Sequence, residues 1–216
     1  MSTLRYIADN WDTIGPEIGT HLQIVALCMA IAIVVGLGLG VAAARDERVA
    51  AVALTVTSTI ITIPSFALFG LLTIWFGLGN EPVILGLALY ALLPIVRNTR
   101  TGLRAVRPEV VEAARGMGMR PTQMLFRVEL PLALPVILGG IRQATVMVVA
   151  IASVGAAVGA DDLGRPILSA VGRSSGSYER LLAGVLPIAA MGIFVDATLA
   201  TAQFLLRRGR ITAGPA

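Results

Sequence analysis

After His21 the chain runs to Ala44 without a single acidic or basic side chain. As an α-helix these 24 residues would be about 36 Å long, enough to cross a hydrocarbon core of about 30 Å. Backbone polar groups in lipid must be paired within the segment, so such a run is constrained to helix. Four further apolar stretches follow, from Val49 to about Phe76, about Pro82 to Val96, about Leu132 to Ala160, and about Leu181 to Leu206. The expectation is an all-α membrane protein, a bundle of five transmembrane helices. Composition agrees: 56% of residues are hydrophobic and 14% charged, against about 45–50% and about 25% in soluble domains.

Five spans place the termini on opposite sides, and arginine chooses the sides. Lysine is absent. One set of inter-span segments holds Arg45, Arg48, Arg97, Arg100, Arg104, Arg107, Arg115, Arg120, Arg127, Arg207, Arg208 and Arg210; the other holds Arg5, Arg165, Arg173 and Arg180. Twelve against four puts the N-terminus outside and the C-terminus in the cytoplasm. The N-terminal segment, residues 1–19, is then extracytoplasmic; 97–131 is a large cytoplasmic loop within the membrane domain 20–206; and 207–216 is a cytoplasmic tail. The start of the chain does not read as a cleavable signal, being polar for about twenty residues and lacking a basic leader.

Several chemistries are excluded. The net charge of +4 does not indicate nucleic acid, because the arginines lie between apolar runs rather than on a basic face. Without lysine there is no phosphate-binding G-x-x-x-x-G-K-[ST] loop. One histidine, His21, gives no zinc pair, and no haem or iron–sulfur spacing occurs. The lone Cys28 lies in an apolar run and reads as packing. The chain is expected to be no enzyme and to hold no cofactor or metal itself.

Small residues recur in the spans. Gly36 and Gly40, and Gly155 and Gly159, form G-x-x-x-G pairs that suit close helix packing within the bundle or between subunits. Pro64 falls mid-way through the second apolar stretch and should kink it or free a carbonyl; a broken helix can also line a pathway. Arg142 and Asp196 lie within spans, each about 16 Å from the cytoplasmic boundary. Charges at that depth cost about 2.5–3.5 kcal/mol on insertion scales and usually face a partner or water. The two are expected to meet or to share a polar crevice. In the rival arrangement Arg142 reaches the headgroups and Thr198 or Thr201 caps Asp196. Asp161 and Asp162 should face the extracellular side before Arg165-Pro166, as a solvated turn or as a patch for a basic partner or cationic substrate.

The segment RPEVVEAARGMGMRPTQMLFRVELP, residues 107–131, is the most informative. Pro108 and Glu109 suit a helix start. A short amphipathic helix to Met117 should end at Gly116 and Gly118. Pro121 should open a second helix, stopped by Leu130-Pro131. A helix–turn–helix of this size either lies on its own bundle or docks in another protein's groove through Val110, Val111, Ala114 and Met117.

Glu112-Ala113-Ala114, then Gly118, then Leu130-Pro131 resemble the EAA signature of bacterial ABC importer permeases, E-A-A-x3-G-x9-I-x-L-P, with Val128 in place of isoleucine. The resemblance implies a MetI-like type I permease whose loop is a coupling helix seated in a separate ATPase. Glu112, Ala113, Ala114, Gly118, Val111 and Met117 would be the coupling residues. It also implies two ATPase subunits that bind ATP and Mg, a second permease copy or paralogue, an extracytoplasmic substrate-binding protein, a surround of membrane lipid, and residence in the bacterial cytoplasmic membrane. Ile63-Pro64-Ser65, the stretch 91–99, Thr101-Gly102-Leu103 and 126–142 are similar to permeases for glycine betaine, carnitine and choline. Arg100 departs from that branch, where an aromatic is common, and so does Asp161-Asp162, where Gly-Gly is common. Pro64, Arg142, Asp161, Asp162 and Asp196 are the candidate pathway or gate residues. Alternatives are methionine or another amino acid as cargo, or a self-sufficient channel or secondary transporter, for which no inverted repeat is found.

Overall fold

A computed structural model describes residues 3–171 and 178–211 of the chain. Arg173 lies outside the described residues, as do the side chains of Arg207, Arg208 and Arg210 and the end of the tail. A short helix α1 (Thr3–Asp9) leads into α2 (Trp11–Arg45). Helices α3 (Glu47–Thr62) and α4 (Ser65–Phe76) form a pair, followed by α5 (Asn80–Arg104). Then come α6 (Pro108–Gly116), α7 (Pro121–Met124), α8 (Leu130–Ala152), α9 (Gly164–Val171) and α10 (Tyr178–Ile211). Three single helices, α2, α5 and α10, and the α7–α8 rod over Pro121–Val158 are long and apolar enough to cross a membrane. The α3–α4 pair makes a fifth if the two count as one broken span.

The break between α3 and α4 is a bend of 102° at Ile63-Pro64. Proline has no N–H to donate and resists continuing the helix. The bend leaves the Ile63 carbonyl, and the hydroxyl of buried Tyr90 on α5 donates to it. The kink expected at Pro64 is therefore a full corner, held from the side. The junction of α2 and α3 is sharper in cause: Asp46 caps α3, its carboxylate accepting from the Arg48 N–H at 2.7 Å.

Helix α5 is the axis of the bundle, packing on α2, α3, α4 and α8. Its described length overruns the expected third span, continuing past Val96 to Arg104. The core joins Ile24, Cys28, Phe69, Leu87, Ile95 and Val148 among others. Gly36 and Gly40 let α2 lie against α5: a Cβ on Gly36 would fall 2.7 Å from the Ile95 side chain, and one on Gly40 2.5 Å from Thr99. The first G-x-x-x-G pair thus serves packing inside this chain. The second differs from expectation. Gly155 sits in a 3-10 turn (Ser153–Val158) against Val83, and Gly159 ends that turn at φ +91°.

Leu130-Pro131 does not stop the second helix of the loop. Residues Leu125–Glu129 form a π-helical turn that runs directly into α8. The Leu130 N–H bonds five residues back, to the Leu125 carbonyl. A proline at 131 would leave the carbonyl four residues earlier without a donor, and widening the preceding turn accommodates it. The consequence is one continuous rod from Pro121 into the bundle.

Candidate functional site: a docking helix, a charged pair and a buried lock

Helix α6 projects at the end of the bundle that carries Arg45, Glu47, Arg100, Arg104 and Glu129. Pro108 opens it, and Gly118 closes it at φ +77°. The Gly118 N–H bonds to the Arg115 carbonyl and the Met119 N–H to the Ala114 carbonyl, a Schellman turn. The last alanine of Glu112-Ala113-Ala114 and Gly118 are thus halves of one hydrogen-bonded device, which explains their spacing. Glu112 and Ala113 are exposed and Met117 is 75% exposed. Val110 and Val111 are half-buried, and Ala114 is 2% exposed. Ala114 therefore does not supply an outer apolar contact, as periodicity suggested; it seats α6 on its own chain. The face of α6 left exposed is Glu112, Ala113 and Met117, flanked by the half-buried Val111.

Arginines fasten this end. Arg100 donates from Nε to the Ala43 carbonyl at 3.2 Å and from Nη2 to Glu47 at 2.8 Å, and Arg104 pairs with the same Glu47. The residue that departs from the branch pattern ties α5 to the α2–α3 corner. Arg45 pairs with Glu129, which is 4% exposed in the π turn. The segment from α6 to the π turn is thereby linked to α2 as well as to α8.

In mid-bundle the structure brings Arg142 and Asp196 together. Arg142 Nε and Nη2 donate to the two Asp196 carboxylate oxygens at 2.6 and 2.7 Å, a two-pronged pair joining α8 to α10. Thr198 and Thr201 bond back to their own helix, to Phe194 and Ala197, and do not cap Asp196.

The opposite end holds the two aspartates, and the structure separates them. Asp161 is exposed and pairs with Arg165. Asp162 is fully buried, contrary to the expectation that both carboxylates face outward. Its Oδ1 accepts from the Gly164 N–H at 2.9 Å, and its Oδ2 lies 3.3 Å from Nδ1 of His21, which is also fully buried. That second contact has ion-pair distance but not hydrogen-bond alignment. His21 Nε2 lies 3.1 Å from the Val149 carbonyl, which can only accept, so Nε2 carries hydrogen. Glu17, one turn before His21, is 8% exposed, with an oxygen unpartnered among the described residues. This lock was missed in the sequence; the signal available was a lone histidine at the mouth of a span and an acidic pair in a normally glycine loop. Among the described residues no cluster of ligands could hold a metal.

A family model described as "binding-protein-dependent transport system inner membrane component" matches residues 32–208. The chain is 40% identical over 211 residues to the osmoprotectant import permease protein OsmW of Salmonella typhimurium, covering 95% of this chain and 97% of the relative. It is 38% identical to the carnitine transport permease protein OpuCD of Listeria monocytogenes, covering 92% and 91%. Among solved structures, the MetNI methionine ABC transporter in an inward-facing form shares the fold, with a TM-score of 0.75 over 91% of this chain and 97% of the other, at 20% identity.

Proposed function

Because the chain belongs to the family of binding-protein-dependent transport system inner membrane components, we propose that it is the permease through which a quaternary ammonium osmoprotectant enters the cell. Glycine betaine, carnitine and choline are the cargo class. The observation that carries this reading is similarity along nearly the whole chain to relatives named for osmoprotectants and carnitine. The likeness to the methionine transporter bears on the fold alone, at 20% identity.

The chain's part is mechanical. ATP and Mg are held by a separate ATPase, whose cleft receives the Glu112, Ala113 and Met117 face of α6. The arginine-rich end lies in the cytoplasm and the N-terminus outside, following the arginine bias. A Schellman turn and a rod without a stop at Pro131 suit transmission: a push on α6 passes through α7 and the π turn to α8, and so to Arg142. A second permease copy or paralogue supplies the facing wall, and an extracytoplasmic binding protein delivers cargo to the Asp161 end.

The test is uptake by vesicles holding the permease with its ATPase and binding protein. ATP-dependent accumulation of labelled betaine, carnitine or choline is expected. Accumulation of methionine alone would overturn the cargo, and uptake without ATP would overturn the transporter class.

A further inference from the structure

The Arg142–Asp196 pair does more than join two helices, as its surroundings indicate. Their side chains are 35% and 39% exposed, at roughly 18 Å along α8 from Leu130. A charged pair so open to hydrocarbon would be costly, so the open side faces protein or water. Gln143, next in sequence, is exposed on the same helix, and its side chain makes no hydrogen bond to the described residues. The pair stands between two hollows on one face of α8 and α10. One, of about 450 Å³, is polar at its edges, with Arg142, Gln143 and Gln203. The other, of about 620 Å³, is lined by aliphatic groups such as Val149, Ile188 and Ile193. Asp196 and Val146 belong to both, whereas Arg142 belongs only to the polar one.

This order of charges along the groove is directional. The guanidinium has five N–H groups, and the bonds to Asp196 use those on Nε and Nη2. The Nη1 edge makes no hydrogen bond to the described residues and can take a second carboxylate in the polar hollow. Asp196, at the junction, can take a cation whose apolar substituents extend into the aliphatic hollow.

We propose that Arg142 and Asp196 form a transient two-headed binding site for a zwitterion bearing a carboxylate and a quaternary ammonium. The carboxylate sits on Arg142, the ammonium beside Asp196, and the N-methyl groups against Val146 and Ile193. The assignment rests on the cargo class proposed above. A cation without a carboxylate engages Asp196 only, so the two kinds of cargo depend differently on Arg142.

The experiment measures glycine betaine and choline uptake in the same vesicles, with the full complex. The ratio of the two does not depend on how much protein assembled. In Arg142→Gln the betaine-to-choline ratio should fall about tenfold relative to the wild type, the loss of one charge-assisted contact. If that variant fails to assemble, Arg142→Lys replaces it, keeping the charge without the fork, and the ratio should fall about threefold. An unchanged or increased ratio in the assembled variant overturns the site while leaving the cargo reading intact. Wild-type vesicles that accumulate none of betaine, carnitine and choline overturn the cargo reading, and the site with it.

Discussion

His21 on α2 and Asp162 in the loop before α9 meet at 3.3 Å with no exposed side-chain surface on either. With the Val149 carbonyl on the imidazole's other nitrogen, one side chain holds α2, α8 and the α9 approach together. Removing one partner of a buried pair leaves the other unpaired and costs about 3–5 kcal/mol. His21→Leu should therefore lower the melting temperature of the purified protein by about 10 °C. The double variant His21→Leu/Asp162→Leu should recover part of that loss, because no lone carboxylate remains. A double variant no better than the single one would mean that the pair is not coupled.

Gly118 closes the Schellman turn at φ +77°. A Cβ there meets nothing within 4 Å, so strain rather than crowding opposes substitution. An L-residue in this region costs about 1–2 kcal/mol, and a β-branched one resists more strongly. Gly118→Val should leave ATP hydrolysis running in the assembled complex while uptake per ATP falls severalfold. Hydrolysis and uptake measured together decide it; a normal ratio refutes the coupling role.

Gly36 and Gly38 offer an internal contrast. A Cβ at 36 would press on Ile95 at 2.7 Å, whereas one at 38 meets nothing within 4 Å. Gly36→Val should destabilise by about 1–3 kcal/mol through overpacking. Gly38→Val should change thermal stability far less. Equal effects would show that helix propensity, not the α2–α5 contact, governs both positions.

Tyr90→Phe removes the donor to the Ile63 carbonyl at the 102° corner. Ile63 is half-buried, so leaving its carbonyl unsatisfied should cost about 1 kcal/mol, the low end of the range for buried groups. Faster amide hydrogen exchange around residues 60–68 is expected, with little change in α8. Uniform exchange in variant and wild type would mean the corner is held by Pro64 alone.

What the sequence determined by itself is local or one-dimensional. The apolar runs marked the uncharged middle of each span, because a helix in lipid needs a minimum length of uncharged chain, but α2 begins ten residues before His21 and α5 runs eight past Val96. The spacing of Glu112-Ala113-Ala114 and Gly118 announced a capped helix, because a Schellman turn is built from consecutive residues. Arg142 and Asp196 were legible as a problem, since a charge in a span demands a partner, though only the fold shows that they satisfy each other. Tertiary structure decided the rest. Sequence spacing alone could not say that Tyr90 would reach Ile63, that Arg100 would fasten the Ala43–Glu47 corner, or that Asp162 would turn inward to His21 while Asp161 stayed in water. Pro131 was misread for the same reason: a proline stops an isolated helix, but a π turn, in which the buried Glu129 pairs with the half-exposed Arg45, carries this one through. Periodicity reports which face of a helix is apolar; which residue meets that face is set by how helices far apart in the chain pack together.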